Sequence, residues 1–490
     1  MNQINGYVID QQYTSDYHHA YAPAWLDYVA LLNQVAPPPR TAGRFRFCDL
    51  GCGFGMTALT LAAANPQAEI HGIDFMAEHI DVAQKLATDA GLGNVQFSRM
   101  AFADALEQPF EPFDYIVAHG VYSWVSAEVR AEVVAFIRRH LKPGGLVYVS
   151  YNAMPGCADI LALQKLISHL GASGNGAGSE RVMQAFGQLE QLRVLGARAL
   201  VGRPGLDDRL QSIAGEDPRY LAHEYLHSVW EPRYFADVAA EMLCADVTFI
   251  GSATLFANEP RFLMNTEQQA FVAAGADPIE RQMLQDYMLD TSFRRDVWAR
   301  QPSQLSADEA LRRLAQMPFM LQVAPDAVQY VVQVGFAQLN IDSPIARNLV
   351  KALAEGVKTI TQLLSRWDMM AASQQEVRDL LFVLACSGQV TPVEQDKIAT
   401  DSRLNDVLRA AAYPCKAMAT PFGVGLELEL PELILAMRPK DSSIAVEDYL
   451  RNELQRTGRS IDTVEIAACI GSYQARRARV IQSIHPVGHI

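Results

Sequence analysis

A glycine-rich loop beside an acidic residue is the part of the sequence whose residue types and spacing point most directly to chemistry. The loop, DLGCGFG, places Gly51, Gly53 and Gly55 in a G-x-G-x-G pattern that begins two residues after Asp49. Glycines at such a turn let the backbone bend sharply and approach a ligand closely. A dinucleotide fingerprint, G-x-G-x-x-G, would need a glycine where the chain has Met56. The spacing therefore favours a ligand other than a dinucleotide.

S-adenosylmethionine suits this loop better, because it has no pyrophosphate to seat on a helix N-terminus. It carries an ammonium and a sulfonium, and the carboxylate of Asp49 complements that positive charge. The next predicted strand ends in Asp74, where an acid that binds ribose hydroxyls belongs, and two residues that can pack on adenine follow it. The predicted cofactor-binding residues are therefore Asp49, Gly51, Cys52, Gly53, Gly55, Asp74, Phe75 and Met76.

Strands that alternate with helices must position this loop. Five predicted strands lie between residues 45 and 152, with the sequences FRFCDL, EIHGID, NVQFSRM, FDYIVAHG and LVYVSYN. This alternation predicts a parallel, doubly wound sheet of the Rossmann-like α/β class. Residues 158–227 predict a helical insertion, and a helix followed by a strand at 232–255 predicts the last part of the sheet. From about residue 266 onward, the pattern predicts a mainly helical chain.

The C-terminal half is open to interpretation as a winged-helix-like module. Three short helices precede a predicted two-strand wing near residues 413–431. The exposed face of the third helix presents Gln374, Gln375, Arg378 and Asp379. A helix that reads DNA would need several lysines or arginines for the phosphates. The sequence therefore favours an interaction or packing module over a DNA-binding one.

These patterns divide the chain into four regions. Residues 1–40 form an N-terminal arm, in which a cluster of tyrosines and histidines is a candidate lid over the cofactor. Residues 41–260 form the cofactor-binding domain, which contains the helical insertion. Residues 261–340 form a helical middle region, and residues 341–490 form the C-terminal domain.

Composition excludes several classes of protein. The 490 residues carry 41 Lys and Arg against 55 Asp and Glu, a formal net charge of −14. This balance argues against a protein that coats nucleic acid or anionic lipid, since both need a positive field. No apolar run approaches the roughly 18 residues of a membrane helix, and the start, MNQINGYVID, does not resemble a signal peptide. Seven scattered cysteines without a CxxC pair predict reduced thiols in a cytoplasmic protein.

One short motif suggests a metal site. Residues 223–227 read HEYLH, an H-E-x-x-H pattern in which His223 and His227 would share one helix face and Glu224 would act as a base. The extended form of that motif needs a histidine where the chain has Arg233. Because short motifs recur by chance, we expect ordinary helix-surface histidines and no metal here.

The motifs DLGCGFG, GIDF, FDYIVAHGVYSWV and LKPGGLVYVSYN resemble those of the class I S-adenosylmethionine-dependent methyltransferases. Within that superfamily, HEYLHSVWEPRYFADVAAEM and QMLQDYMLDTSFRR resemble the bacterial branch that carries a methyltransferase regulatory domain. The resemblance covers about residues 13–300. It implies methyl transfer from S-adenosylmethionine. It also suggests a lysine acceptor, because some members of this branch methylate lysines of bacterial outer-membrane proteins.

The resemblance also implies where the methyl acceptor sits. The tetrapeptide that begins at His119 occupies the position at which amino-methylating relatives carry Asn/Asp-Pro-Pro-Tyr, so His119 would contact or deprotonate an amine. His119 is also a candidate cofactor contact, and a purely structural histidine is the alternative. The remaining implied residues are Tyr122, Tyr151 and Asn152 for the acceptor pocket, Ala101 and Phe102 for the adenine edge, Tyr17 and Tyr21 for the lid, and Trp124 for either core or site.

Three functions remain open at this point. The first is methyl transfer to an amine, with protein lysine as the candidate acceptor. The second is transfer to a hydroxyl of a small molecule or polysaccharide, and the third is a non-catalytic scaffold that senses the cofactor. We expect neither nucleic acid nor membrane insertion, and a homodimer through the helical half is an open alternative.

Overall fold

The strands and helices of this chain are described over most of its length. In the computed structural model the described residues are 3–4, 7–8, 17–40, 43–201, 210, 218–227, 229–334, 337–394, 403–410, 417–428, 430–436, 438, 443–456 and 463–476. The strands there are β1 (Gln3–Ile4), β2 (Tyr7–Val8), β3 (Arg46–Leu50), β4 (Glu69–Asp74), β5 (Val95–Arg99), β6 (Phe113–Ala118), β7 (Leu141–Asn152), β8 (Val247–Ser252), β9 (Phe293–Arg300), β10 (Pro318–Leu321), β11 (Val331–Val334), β12 (Ala337–Asn340), β13 (Lys358–Thr359), β14 (Val390–Pro392), β15 (Ala417–Ala419) and β16 (Gly425–Glu427).

The helices of the same residues are α1 (Pro23–Leu32), α2 (Met56–Ala64), α3 (Ala77–Asp89), α4 (Phe102–Leu106), α5 (Ala127–His140), α6 (Ala158–Ala172), α7 (Gly178–Val194), α8 (Pro218–Leu226), α9 (Phe235–Leu243), α10 (Thr266–Ala273), α11 (Pro278–Leu289), α12 (Ala307–Gln316), α13 (Pro344–Ala354), α14 (Ile360–Leu364), α15 (Gln374–Cys386), α16 (Arg403–Ala410), α17 (Leu430–Ala436), α18 (Val446–Arg456) and α19 (Thr463–Arg476). Among these described helices, none combines the length and the apolar character needed to cross a membrane.

One mixed sheet carries the glycine-rich loop. In the described part of the chain it has seven strands in the order β5-β4-β3-β6-β7-β9-β8. The first five of these strands run parallel to one another. Strand β9 then pairs antiparallel with both β7 and β8. The Rossmann-like sheet predicted from the alternation of strands and helices is therefore confirmed.

The register of the parallel strands brings their carboxyl ends to one edge of the sheet. Asp49 lies opposite Gly72 on one side and Val117 on the other. Ala118 in turn lies opposite Val149. The loops that follow β3, β4 and β6 consequently meet at one edge, which is where doubly wound sheets bind their ligands.

Burial on both faces explains why the central strands read as apolar runs. All six residues of β6 are buried, as expected for a parallel strand covered on both sides. Helix α2 is likewise buried along its nine residues, because the hairpin of β15 and β16 packs on it as well as the sheet. The side chain of Asn65 at the end of α2 donates a hydrogen bond to the carbonyl of Gly423 in that hairpin at 2.9 Å.

Strand β9 corrects two expectations. The prediction of a helical chain from about residue 266 is wrong at β9, and the sheet extends past the predicted boundary at residue 260 to Arg300. The reason is buried charge. Arg294 Nε lies 3.0 Å from Asp296 Oδ1, and Arg294 Nη1 lies 2.6 Å from Asp286 Oδ1. Since the charges compensate each other, the strand is buried without the apolar pattern by which strands are predicted.

The insertion predicted at residues 158–227 is mainly helical in its described residues, 158–201, 210 and 218–227. Helices α6, α7 and α8 pack on one another around an apolar cluster that is separate from the core of the sheet. Leu163, Ile167, Val182, Leu189 and Leu221 belong to this cluster. The insertion is therefore a small helical layer with a core of its own.

The described part of the C-terminal region contains two strands where the wing was predicted, and they pair only with each other. In the described residues, β13, β10 and β14 form one small sheet, while β15 and β16 pair antiparallel in another that packs on α2. On α15, Asp379 receives two hydrogen bonds from the guanidinium of Arg261, the shorter at 2.7 Å. This contact agrees with a packing role for that helix face, and the winged-helix-like module stays a prediction.

The buried arginine of β9 generates a stability prediction. Replacement of Arg294 by methionine should lower the free energy of unfolding by about 3–5 kcal/mol at pH 8, because two buried carboxylates lose their cation. The loss should shrink at pH 5, since burial raises the pKa of both Asp286 and Asp296 and the orphaned carboxyls can then bind protons.

Urea unfolding of Arg294→Met and Arg312→Met measures this difference. Arg312 is a matched control, because its ion pair with Glu309 lies on the surface and should contribute little. Equal destabilisation of the two variants would contradict the proposed importance of the buried charges.

Candidate active site

A cavity of about 260 Å³ opens at the carboxyl ends of the parallel strands. Its walls come from the loops after β3, β4, β5 and β6 and from the start of α5. The structure brings together eight of the sequence-predicted residues in this lining, namely Gly51, Gly53, Asp74, Phe75, Met76, Ala101, Phe102 and His119. The cavity is therefore the candidate site for a nucleoside ligand.

Left-handed backbone conformations shape the glycine loop. Gly51, Gly53 and Gly55 have φ values of +76°, +54° and +69°, which favour glycine over residues with a side chain. A Cβ atom on Gly55 would lie 2.4 Å from the ring of Phe97, whereas one on Gly53 would meet no atom within 4 Å. Gly55 therefore permits close packing against the sheet, and Gly53 leaves open space where a ligand can approach.

Asp74 is held in place by the loop that it faces. Its carboxylate accepts hydrogen bonds from the backbone amides of Gly53 at 2.9 Å and of Met76 at 2.8 Å. His79 lies beside it, with Nδ1 3.5 Å from Asp74 Oδ2. Because the two amides fix its orientation, the carboxylate keeps lone pairs available for a ligand in the cavity.

Asp49 lies beneath the loop and is almost fully buried. Burial, with a further contribution from the negative charge of Asp74, raises the pKa of Asp49 to about 8. Its carboxyl group is consequently protonated in large part at pH 7 in the free protein. A cation that binds beside Asp49 would favour the ionised form. The thiol of Cys52, also in the loop, lies 3.6 Å from the carbonyl oxygen of Gly53.

His119 follows β6 and faces the cavity. Its Nδ1 lies 2.9 Å from the hydroxyl of Tyr148 and 3.1 Å from that of Ser150. The hydroxyl of Ser150 also accepts a hydrogen bond from the backbone amide of Gly120. Burial lowers the pKa of His119 well below its usual value, with His18 and Arg295 adding to the effect. The imidazole is therefore neutral at pH 7, and Nε2 is the ring nitrogen left for a ligand.

A strap of residues 17–21 packs against the ring of His119. The ring centroids of His18 and Tyr21 lie 4.2 Å and 5.3 Å from that of His119. Tyr17 is fully buried and, like Tyr21, is absent from the cavity lining. Of the predicted lid residues, Tyr21 therefore packs against His119, whereas Tyr17 is bonded to Gly425. Tyr13, which belongs to the predicted cluster, lies outside the described residues.

Three predicted acceptor residues point elsewhere. Tyr122 donates a hydrogen bond to Glu241, and Tyr151 donates one to Asp296 at 2.6 Å. Both side chains are buried and neither lines the cavity. Asn152 also lies outside the lining, and its amide oxygen accepts a hydrogen bond from the indole of Trp230 at 3.1 Å. These residues brace the loops around the cavity, because each one joins the sheet to a later segment of the chain.

Two tryptophans, Trp124 and Trp230, form an aromatic rim beside these residues. Trp124 lines the cavity, and its ring centroid lies 5.2 Å from that of His227 and 6.1 Å from that of Trp230. The segment that carries Trp230 is bonded to the loop that follows β6, since the amide of Glu231 donates to the carbonyl of Ser123. The helical insertion thus places His227 against Trp124, which lines the cavity.

Sequence reasoning missed part of the lining. The additional residues are His79, Met100, Gly120, Val121, Val125, Val129 and Glu132. Val125, Val129 and Glu132 recur at helical spacing near and within the first turns of α5, which is the signal that would have found them. The sequence does not show which face of α5 turns toward the cavity, because that depends on how α5 packs on the sheet.

The HEYLH motif lies on α8 and the turn that follows it. The backbone carbonyl of His227 accepts hydrogen bonds from Gln164 and Ser168 of α6, and its ring packs on Trp124. Among the described residues, no cluster of three or more His, Cys, Asp and Glu side chains is arranged to hold a metal ion.

Comparison with known families decides the class of this site. The chain matches the model of a methyltransferase domain over residues 48–147 and that of a predicted methyltransferase regulatory domain over residues 217–300. The first match contains the glycine loop, Asp74 and His119. By these matches, the chain is an S-adenosylmethionine-dependent methyltransferase that carries a predicted methyltransferase regulatory domain. Its cofactor is S-adenosylmethionine.

Individual proteins show how far the similarity extends along the chain. PKMT2 from Rickettsia typhi in complex with AdoHcy has the same fold, with a TM-score of 0.70 at 17% identity over 96% of this chain and 99% of that one. An uncharacterized protein of Synechocystis is 28% identical over 478 residues, 94% of either chain. An uncharacterized protein of Rickettsia prowazekii is 35% identical over 140 residues, 29% of this chain and 54% of that protein.

The regulatory segment of this methyltransferase is part of the catalytic sheet. Residues 217–300 include β8 and β9, and β9 pairs with β7 over seven residues, from Leu146 to Asn152. The same segment carries Trp230 at the rim and Arg295 near His119. The region matched by the regulatory model therefore completes the sheet and reaches the site.

The glycine loop generates a prediction that separates ligand binding from stability. Both Gly53→Ala and Gly55→Ala meet a left-handed φ, which costs about 1–2 kcal/mol. Gly55→Ala should lower the thermal midpoint further because its methyl group collides with Phe97. Gly53→Ala should instead weaken S-adenosylmethionine binding by about tenfold or more, since its methyl group enters the open side of the loop.

Calorimetry with S-adenosylmethionine and thermal unfolding of both variants measure the two effects. Unchanged affinity in Gly53→Ala would show that the ligand does not approach this glycine.

Proposed function

We propose that this enzyme transfers the methyl group of S-adenosylmethionine to an amine, with a lysine side chain of a protein as acceptor. The observation that carries the proposal is a neutral imidazole, His119, directed into the cavity beside the glycine loop. Methyl transfer to nitrogen needs a neutral amine whose lone pair points at the methyl carbon. A neutral imidazole can accept an N–H hydrogen bond from such an amine and so direct its lone pair.

Residues in and beside the cavity lining can be matched with each part of the cofactor. Asp74 would accept hydrogen bonds from the ribose hydroxyls, because its orientation is already set by the amides of Gly53 and Met76. Phe75, Met76, Ala101 and Phe102 would enclose the adenine. The open side of Gly53 would admit the methionine moiety near Asp49, which lies close to its ammonium in this arrangement. When bound, the cofactor supplies an electrophilic methyl group on its sulfonium.

The hydrogen bonds of His119 suit a residue that accepts a hydrogen bond from the amine. With its proton on Nδ1, donated toward Tyr148, the ring presents an Nε2 lone pair to the cavity. A pKa well below the usual value prevents the ring from becoming a cation that would repel an ammonium group. His119 would therefore orient the amine. The ammonium group of the acceptor would lose its proton to solvent, and so become neutral, before it is enclosed in the cavity.

The aromatic rim supports a long, cationic acceptor. Trp124 and Trp230 are partly exposed and tilted by 37° to each other. Indole faces attract ammonium groups and pack on methylene chains, and a lysine side chain combines the two. The resemblance to a branch that methylates protein lysines supports the same acceptor, as does the acidic balance of −14, which favours a cationic partner.

Proton release on cofactor binding tests the role of Asp49. At pH 7 its carboxyl, with a pKa of about 8, is mostly protonated in the free protein. A cationic ligand beside it lowers that pKa, so binding should release up to about one proton per site. The release should vanish near pH 9, where Asp49 is already ionised. Calorimetry in buffers of different ionisation enthalpy measures it.

Asp49→Asn is the matched control for this measurement, because it keeps the shape of the side chain but cannot titrate. Release that persists in Asp49→Asn would assign the proton to another group.

Labelling with a tritiated methyl donor tests the acceptor. Total protein from cells that lack the enzyme, incubated with the enzyme and donor, should acquire label on lysine side chains, located by mass spectrometry. His119→Ala should lower the rate by about 10²-fold or more, whereas His119→Asn, which retains a hydrogen-bond acceptor, should keep a larger share of it. The affinity for S-adenosylmethionine should change little in His119→Asn.

Each other outcome has a distinct meaning. Label on a small molecule or polysaccharide would favour a hydroxyl acceptor. Cofactor binding with no label in any fraction would favour a cofactor-sensing scaffold, and an unchanged rate in His119→Ala would remove His119 from the mechanism.

A further inference from the structure

We propose that Tyr17 is a positioning residue through which the C-terminal hairpin, formed by β15 and β16, holds the strap of residues 17–21 against His119. The hairpin is far from the cavity residues in sequence. The expected effect on turnover rests on the proposed role of His119, whereas the expected effects on hydrogen exchange and on the titration of His119 do not.

The first contact is a buried hydrogen bond across the length of the chain. The hydroxyl of Tyr17 accepts a hydrogen bond from the backbone amide of Gly425 at 2.9 Å, and Tyr17 is fully buried. A Cβ atom on Gly425 would lie 2.7 Å from both the Tyr17 ring and Thr60. The absence of a side chain at Gly425 is therefore what allows β16 to reach the strap and α2 together.

The strap is also bonded to the helix that follows the glycine loop, once beside Tyr17, at His18, and once at its other end, at Tyr21. Thr57, in the first turn of α2, accepts hydrogen bonds through Oγ1 from the amide of His18 at 3.1 Å and from the hydroxyl of Tyr21 at 3.0 Å. Between these anchors the strap has only one short 3₁₀ turn, His19–Tyr21. With so little regular structure, its position depends on its anchors.

The strap in turn packs on one side of His119, the residue proposed to accept a hydrogen bond from the amine. His18 and Tyr21 face His119 from the strap, Tyr148 faces it from β7, and Arg295 acts on it from β9. Removal of the Tyr17 anchor should let the strap move and admit water behind His119. Hydration favours the charged imidazole, so the pKa of His119 should then rise toward its ordinary value.

Two conservative variants separate this role from a general effect on stability. Tyr17→Phe removes only the hydroxyl that binds Gly425. Thr420→Val is the matched control, because the Thr420 hydroxyl makes a buried hydrogen bond to the carbonyl of Val424 within the same hairpin. Tyr17→Phe removes one buried hydrogen bond, whereas Thr420→Val removes two, since the Thr420 hydroxyl also accepts one from the amide of Phe422 at 3.3 Å. The control should therefore lower the thermal midpoint at least as much as Tyr17→Phe.

The variants should differ in three other measurements. Tyr17→Phe should speed hydrogen exchange of the amides in residues 17–21, raise the pKa of His119 in an NMR titration, and lower kcat by about tenfold on the labelled protein fraction described above. The affinity for S-adenosylmethionine should change less than twofold, since no strap residue lines the cavity. Thr420→Val should leave exchange in the strap, the His119 titration and kcat unchanged.

The proposal is overturned if Tyr17→Phe behaves like Thr420→Val in strap exchange and in the His119 titration. Should Tyr17→Phe fail to fold, Thr57→Val, which removes the bonds of the strap to α2, must produce the same three changes. If no acceptor is labelled by the wild-type enzyme, the proposed function fails, and exchange and titration still decide whether the hairpin positions the strap.

Discussion

The parallel pairing of β3, β4, β6 and β7 is the constraint on which the site depends. Each strand pairs with its neighbour in a register that ends at the same edge, so loops far apart in sequence converge there. The glycine loop, Asp74 and His119 each follow a different strand of this set. Their relative positions are consequently set by backbone hydrogen bonds of the sheet, which are among the least mobile contacts in a folded domain.

Segments later in the chain complete this arrangement. Strand β9 covers the open side of β7 and brings the compensated charges of Arg294 and Asp296 into the core. Tyr151 and Tyr122 use their hydroxyls to tie the sheet edge to β9 and to α9. The C-terminal hairpin then packs on α2 and bonds to Tyr17. The cofactor cavity is thus lined by residues between Gly51 and Glu132, and segments that follow them brace the sheet and loops that carry the lining.

Most residues predicted for the cofactor come together in the cavity lining, whereas Tyr122, Tyr151 and Asn152, predicted for the acceptor, do not. The glycine loop, Asp74 and the residues after it are local features, since each depends on a strand end and a few following residues. The resemblance to amino-methylating relatives implied Tyr122 for the acceptor pocket, and a position after the fifth predicted strand suggested Tyr151. Their hydroxyls instead meet Glu241 and Asp296, partners about 119 and 145 residues away, which no local pattern identifies.

By itself, the sequence determined the Rossmann-like sheet, the helical insertion and the glycine loop with its acids, because periodicity and turn chemistry act over short stretches of chain. Only the tertiary structure decided that β9 belongs to the sheet, that α5 turns Glu132 toward the cavity and that Tyr17 lies behind the site. These outcomes depend on charge compensation, helix rotation and long-range hydrogen bonds. Such interactions join residues that are distant in sequence, so only the folded chain shows which residues are partners.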